Sequence, residues 1–164
     1  MISVEKYLSK SYRPDRDYVD GRVEERNWGE LDHSLLQTEL LMYLYDRRKE
    51  WNIIVLPEMR IRVNVARYRV ADICVVLGPK PTERTLTKPP FLCIEVVSPE
   101  DRMTRMAIRI SDYLTMGVPY VWVLDPQTRE AYVATSAEGL REVKSGLLRT
   151  ENPTLEVPLA AVFA

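Results

Sequence analysis

The sequence contains little histidine and little cysteine, which limits the kinds of metal site it can build. Its 164 residues include one histidine and two cysteines, Cys74 and Cys93. Each cysteine stands in an apolar run, and neither has the close CxxC or Cys/His spacing of a zinc site. We therefore expect buried free thiols in a reducing compartment rather than a structural zinc centre.

Long apolar runs and an excess of charge of one sign are also absent. No stretch approaches the roughly 20 continuous apolar residues that a membrane-spanning helix requires, and the first residues lack the basic start and apolar stretch of a signal peptide. The formal net charge is −1, so no global positive field attracts nucleic acid. These features predict a cytoplasmic protein without membrane contact, in which any nucleic-acid contact needs a local basic patch or a bound cation.

The composition is that of an ordinary globular protein. Hydrophobic residues make up 46% of the chain and charged residues 29%, a balance that disordered and fibrous proteins do not have. A chain of this length forms one hydrophobic core. We therefore predict a single domain over residues 1–164.

Apolar periodicity and turn residues predict a mixed α/β (α+β) fold. The Asp20-Gly21 pair indicates a hairpin, and an apolar run, a helix and a second apolar run at 91–124 indicate a βαβ crossover. We infer a central mixed sheet flanked by helices and an apolar tail that docks on it. Helices are predicted at 3–10, 30–50 and 102–116, strands at 52–56, 59–63, 70–77, 91–97 and 120–124, a hairpin at 130–144, and a surface loop at 78–90.

Two acidic residues stand alone in strands that otherwise resemble core. Asp72 interrupts the apolar run 70–77 and Glu95 the run 91–97. An ionised carboxylate is costly to bury without a partner. A shared divalent cation would offset that cost, and Mg²⁺ accepts one or two carboxylates with water and phosphate in its other positions. The alternative is that each acid pairs with a buried arginine or lies at a strand end in water.

These residues belong to longer stretches that resemble a known family. Asp72, the segment IEVVSPEDR at 94–102 and the segment YLTMGVPYVWVLDP at 113–126 are similar to the Uma-type endonuclease family, a branch of the restriction-endonuclease-like PD-(D/E)xK superfamily. The resemblance also includes residues 18–23, the helix around His33, and Pro57-Glu58. It spans roughly residues 15–135, and its most specific part runs from Glu95 to Pro126.

The resemblance implies a restriction-endonuclease-like fold and a metal-dependent phosphodiesterase site. Asp72 and Glu95 match the motif's ligands for Mg²⁺ or Mn²⁺, and Arg109 stands where the family keeps a catalytic lysine on the following helix. Val97 occupies the other common lysine position, and Ala71 replaces the motif's proline. Because arginine is effectively never deprotonated, Arg109 can stabilise a charged transition state but cannot act as a general base.

Other residues have two readings. Glu39 is either a third metal ligand or a solvated residue on the helix. Glu58 is a candidate to complete the set of metal ligands. His33 is either a site residue or a structural histidine. Arg102, Arg105 and Lys88 are alternative cations but read as surface charges. The arginines at 60, 62, 67 and 69 form a phosphate-contacting patch or a charged strand face. Tyr113 and Trp122 are expected in the core, and Trp28 in a loop or interface.

The function expected from these observations is that of a Mg²⁺-dependent endonuclease acting on DNA. A homodimer using the apolar tail and the Trp28 loop would bring one site to each strand. The alternative motivated by Arg109 is a catalytically weakened nuclease fold that binds nucleic acid or a protein partner. A third possibility is an interaction module in which both acids form structural ion pairs.

Overall fold

The computed structural model describes residues 1–26, 30–98, 101 and 103–163. Among these residues, no helix combines the length and the apolar character needed to cross a membrane. The helices are α1 (Val4–Leu8), α2 (Leu31–Asp46), α3 (Arg48–Trp51), α4 (Met103–Met116) and α5 (Leu159–Val162). The strands are β1 (Asp17–Val19), β2 (Arg22–Glu24), β3 (Ile53–Asn64), β4 (Arg67–Leu77), β5 (Leu92–Val96), β6 (Tyr120–Asp125), β7 (Glu130–Thr135), β8 (Gly139–Glu142), β9 (Leu147–Arg149) and β10 (Glu156–Pro158).

Eight of these strands form one mixed sheet, as the sequence predicts. Its order is β2-β1-β4-β5-β6-β7-β8, with β3 paired to β4 outside this path. The strands β5 and β6 are parallel neighbours joined through α4, which confirms the predicted βαβ unit. All other pairs in the sheet are antiparallel. Apolar side chains cover both faces of the central strands, so any polar group there lies deep in the protein.

The predicted N-terminal elements are present. Ser3 caps α1, because its hydroxyl accepts a hydrogen bond from the backbone N–H of Lys6 at 3.1 Å. Asp20 and Gly21 turn the hairpin between β1 and β2 with φ angles of 49° and 90°, the left-handed geometry that an Asp-Gly pair favours. Buried tyrosines at positions 7, 18 and 68 fix α1 and β1 against β4. This N-terminal unit therefore docks firmly beside the centre of the sheet.

The predicted long helix is divided into α2 and α3. Leu36, Leu40 and Leu44 lie on the buried face of α2 and pack on the central strands. The C-terminal tail docks in the same layer, since Val157, Val162 and Phe163 are buried in that core. The docking prediction is thus confirmed. The tail's buried apolar side chains are not available for the dimer interface that the sequence suggested.

Strand β3 differs from the prediction of two strands separated at Pro57. It runs unbroken through the proline because β3 pairs only with β4 at this point, and a proline is tolerated on a strand edge. The irregularity instead falls on the next residue, Glu58, whose φ is 53°. A positive φ is uncommon for a residue other than glycine and points to a local constraint.

Strand β4 has a forked edge that positions the candidate site. One edge pairs with β3 along almost its whole length. The other edge pairs with β1 at Arg67 and Tyr68 and with β5 from Ile73 to Val75. Between these two partners lies a short stretch that carries Asp72. The two free cysteines follow directly, with Cys74 opposite Cys93 across β4 and β5, both fully buried.

The core position of Leu40 gives a test of the α2 packing. Leu40 is 0% exposed whereas Leu35, on the same helix, is 54% exposed. We expect Leu40→Ala to lower the free energy of unfolding by about 2–5 kcal/mol, and Leu35→Ala to change it by less than about 0.5 kcal/mol. Urea denaturation followed by circular dichroism measures both, and equal losses would contradict this packing of α2.

Candidate active site

Asp72 and Glu95 line one small cavity at the fork of β4. The cavity has a volume of about 30 Å³, which is enough for at least one water molecule. Both acids are nearly inaccessible, at 3% and 4% exposure. The sequence prediction that the two acids converge is consistent with this arrangement. The cavity is lined by Arg26, Asp72, Glu95, Val96, Asp101, Arg105, Met106 and Arg109.

Asp72 accepts hydrogen bonds on both carboxylate oxygens. Nη2 of Arg26 donates to Oδ1 at 2.8 Å. The backbone N–H of Val96 donates to Oδ2 at 2.8 Å, and Nε2 of His33 lies 3.4 Å from the same oxygen. Burial by itself raises the pKa of Asp72, but the His33 contact and the Arg26 charge outweigh it and lower that pKa below its ordinary value. Asp72 is therefore ionised at neutral pH.

Arg26 has contacts that do not involve Asp72. Its Nη1 donates to Oε2 of Glu58 at 2.5 Å and to the backbone carbonyl of Asp15 at 3.3 Å. Gln37 reinforces this arrangement from α2, because its Nε2 donates to Oε1 of Glu58 and to the carbonyl of Asp72, both at 3.0 Å. Glu58, the residue with the positive φ, is thus the one that contacts both Arg26 and Gln37. Glu58 and Gln37 thus form a clamp on one side of the Arg26 guanidinium.

Glu95 is less well compensated than Asp72. Nη2 of Arg109 donates to its Oε1 at 3.0 Å, and the Tyr113 hydroxyl donates to the same oxygen at 2.7 Å. Burial is the largest influence on Glu95 and raises its pKa to about 7, against the lowering effect of the Arg109 charge. Glu95 is therefore partly protonated near neutral pH, as expected of a carboxylate whose negative charge lacks a full counter-charge.

Arg109 connects Glu95 to a buried acid on β1. Its Nη1 pairs with Oδ2 of Asp17, and its Nη2 also donates to the carbonyl of Val70 at 2.8 Å. Oδ1 of Asp17 accepts the Val70 N–H at 2.8 Å. These two side chains therefore satisfy the backbone of β4 in the gap where neither β1 nor β5 pairs with it. Arg69 completes the group, 3.1 Å from Asp17.

The donor set fits a magnesium-like cation better than a zinc ion. In the described part of the chain, both hydrogen bonds to Glu95 fall on Oε1, which leaves Oε2 for a ligand. Among the same residues, no group of three or more histidine, cysteine or acidic side chains is placed to hold a metal. Two carboxylate oxygens suit an ion that takes its remaining ligands from water and phosphate. Asp72 and Glu95 would hold such an ion.

Several predicted residues lie elsewhere. Glu39 is exposed on α2 and lines a different groove beside Arg129 and Phe163, so the structure does not bring it to Asp72 and Glu95. Lys88 is exposed in the 78–90 loop, away from the cavity. Arg105, in contrast, does lie at the cavity, where its side chain is exposed. Trp28 and Arg102 fall outside the described residues.

The predicted phosphate-contacting patch of four arginines is largely an internal ion-pair group. Arg60 pairs with Asp15, Arg67 with Asp20 and Asp112, and Arg69 with Asp17 and Asp112. Charges neutralised in this way offer little to a phosphate backbone. The structure therefore gives no support to a phosphate-contacting patch at these three residues, and Arg69, which is 4% exposed, does not lie on a solvated strand face either.

Four contacts of the site were not anticipated. Arg26 and Asp17 lie in polar segments without a motif, where nothing in the local pattern distinguishes a buried charge from a solvated one, and Gln37 is an uncharged polar residue on the leucine-rich helix α2. Tyr113 was expected in the core, and it is fully buried there as Trp122 is. Its hydroxyl nevertheless reaches Glu95, and the spacing of four residues from Arg109 along one helix was an available signal.

The mixed sheet and its βαβ unit give the chain a restriction-endonuclease-like fold. The chain belongs to the Uma2 family, described as "Putative restriction endonuclease", whose family model matches residues 5–163. A crystal structure of "a putative nuclease belonging to DUF820" from Anabaena variabilis has the same fold. It superposes with a TM-score of 0.84 at 19% identity, covering 99% of this chain and 98% of that one. No curated protein matches the chain significantly.

The raised pKa of Glu95 predicts a pH-dependent stability difference. Between the ordinary value of 4.5 and about 7, the folded protein keeps a proton that the unfolded chain releases, so this group's contribution is present below pH 4.5 and is lost as the pH rises towards 7. The unfolding free energy of the wild type minus that of Glu95→Gln should therefore fall from pH 5 to pH 8. Urea titrations at each pH measure it, and a constant difference would contradict the shift.

Proposed function

We propose that this protein is a divalent-cation-dependent endonuclease that hydrolyses phosphodiester bonds in DNA. The observation that supports it most is the cavity at which acids from adjacent strands meet three arginines, in a member of a restriction endonuclease family. Carboxylates suit the cation and arginines suit the phosphate, so one site contains both kinds of group that phosphodiester cleavage uses.

Each residue has a role in this proposal. Asp72 and Glu95 hold Mg²⁺ or Mn²⁺, which when bound supplies an activated water and offsets charge on the phosphate. Arg109 holds Glu95 in place and contributes a fixed positive charge towards a developing oxyanion, without removing a proton. Arg105, exposed at the cavity, is available to the phosphate. Cleavage of both strands favours a homodimer with one site for each strand, and Glu39 takes no part.

A second candidate is a nucleic-acid-binding relative with weak or no cleavage. It is favoured by the ion pairs themselves, because Arg26 and Arg109 already supply positive charge to Asp72 and Glu95. In addition, arginine rather than lysine stands at position 109. A site built this way could bind a phosphate group without activating water.

Plasmid nicking in the presence of Mg²⁺ or Mn²⁺ tests the first candidate. The wild type and Glu142→Gln, an exposed acid on the edge strand β8, should nick at the same rate, as should Glu39→Gln. Asp72→Asn and Glu95→Gln should reduce the rate by at least about a hundredfold, because each removes a carboxylate that would hold the cation. Equal nicking by all five proteins would exclude the assignment of these two acids.

Arg109→Lys separates the two candidates. A lysine reaches Glu95 but cannot bridge Asp17, Glu95 and the Val70 carbonyl as the guanidinium does. If the wild type nicks DNA efficiently, we expect Arg109→Lys to nick at the same rate or more slowly. A gain of about tenfold or more would show that arginine at position 109 impairs cleavage, and no gain in a protein that does not nick, together with salt-sensitive DNA binding by the wild type, would support binding alone.

A further inference from the structure

Arg26 occupies a position that a cation on Asp72 would need. Its Nη2 donates to Oδ1 of Asp72 at 2.8 Å, while Oδ2 is committed to the Val96 N–H and to His33. Oδ1 is therefore the oxygen with the fewest protein contacts and the natural ligand atom. A guanidinium nitrogen and a divalent ion that approach the same oxygen repel each other. Cation binding at Asp72 thus requires Arg26 to weaken or release this bond.

The guanidinium remains anchored when that bond is lost. Nη1 stays between Oε2 of Glu58 and the Asp15 carbonyl, and Glu58 is held in turn by Gln37. Arg26 is 9% exposed, so most of its side chain is packed inside the protein. Release from Asp72 would therefore free Nη2 at the cavity while the rest of the side chain keeps its place.

The backbone of Glu58 supports a dedicated function for this clamp. Its φ of 53° within a strand costs of the order of 1 kcal/mol or more. The side chain of this residue accepts hydrogen bonds from Arg26 and Gln37, and Gln37 also bonds to the backbone of Asp72. The strained residue is thus part of the structure that fixes Arg26 beside the candidate ligand.

We propose that Arg26 is a substrate-binding residue that exchanges Asp72 for the DNA phosphate when a divalent cation binds. This inference rests on the proposed nuclease function and adds a role for a residue outside the Asp72, Glu95 and Arg109 set. In the cation-free protein, Arg26 neutralises Asp72. In the loaded protein, the freed Nη2 donates to a phosphate oxygen beside the cation, the geometry that guanidinium groups favour.

Titration calorimetry with Mn²⁺ tests the first half of the exchange. Arg26→Gln removes the competing charge and should bind Mn²⁺ about tenfold more tightly than the wild type. Glu58→Gln should bind Mn²⁺ more weakly, because Arg26 then has Asp72 as its remaining side-chain counter-charge. Arg141→Gln, which removes an exposed arginine paired with Glu138, is the matched control and should leave the affinity unchanged.

Fluorescence anisotropy with a labelled DNA duplex tests the second half. Mn²⁺ should raise the DNA affinity of the wild type. In Arg26→Gln this increase in DNA affinity should be at least about tenfold smaller, although the variant binds Mn²⁺ more tightly. Arg26→Lys should restore part of it. The anisotropy is measured before cleavage of the DNA duplex becomes visible on a gel. Opposite changes in metal and DNA affinity separate a substrate contact from a damaged fold, which lowers both.

Three outcomes would overturn the exchange. The first is Mn²⁺ binding by Arg26→Gln that is no tighter than that of the wild type, and the second is unchanged DNA affinity of this variant. If Arg26→Gln does not fold, Glu58→Gln decides, and unchanged or tighter Mn²⁺ binding would be the third. If the wild type binds Mn²⁺ and nicks DNA but the variants give one of these three outcomes, the exchange is wrong and the nuclease proposal stands. A wild type that does neither overturns the nuclease proposal as well.

Discussion

The need to neutralise carboxylates inside the sheet governs the whole centre of this protein. Three acids and three arginines are almost completely buried there, and each acid contacts at least one of the arginines. An isolated ionised carboxylate at such a depth would be very costly. The pairing therefore decides which segments must come together. The residues are Asp17, Asp72 and Glu95 with Arg26, Arg69 and Arg109.

The scaffold and the candidate site share these charges. Removing one partner of a buried ion pair costs about 3–5 kcal/mol because the other charge is left uncompensated. Stability and chemistry are thus not separable at Asp72 or Glu95. The difference between them is informative, since the pKa of Asp72 is lowered and that of Glu95 is raised. Two neighbouring acids with opposite shifts are typical of sites that carry a function.

Much of the architecture was accessible from the sequence. The βαβ unit, the hairpin at Asp20-Gly21 and the docked tail follow from local patterns, because apolar periodicity and turn residues report directly on backbone geometry. The same patterns identified Asp72 and Glu95, since an acid is conspicuous inside an apolar strand. The continuity of β3 was missed because the tolerance of Pro57 depends on which strand edge faces a neighbour, a fact of tertiary pairing.

The partners of the acids could not be predicted from local sequence patterns. Arg26 and Asp17 stand in polar surroundings, and only the three-dimensional fork of β4 shows that they are buried. The arginines at 60, 67 and 69 show the reverse error, because a row of cations in sequence gives no sign of the carboxylates that neutralise it. Charge patterns along a chain therefore predict a charged surface more often than they predict its counter-charges.

The distance along the chain between Asp17 and Arg109 has a consequence for biosynthesis. These two residues, 92 positions apart, close the gap in β4 together, and Arg26 reaches Asp72 from the same N-terminal segment. A growing chain emerges with its N-terminus first. The ribosome must therefore release α4 before Asp17 and Glu95 can pair with Arg109, whereas Asp17 can meet Arg69 earlier. Until then Arg109, one of the residues that line the cavity, is missing, so the candidate site is incomplete while the chain is still being made.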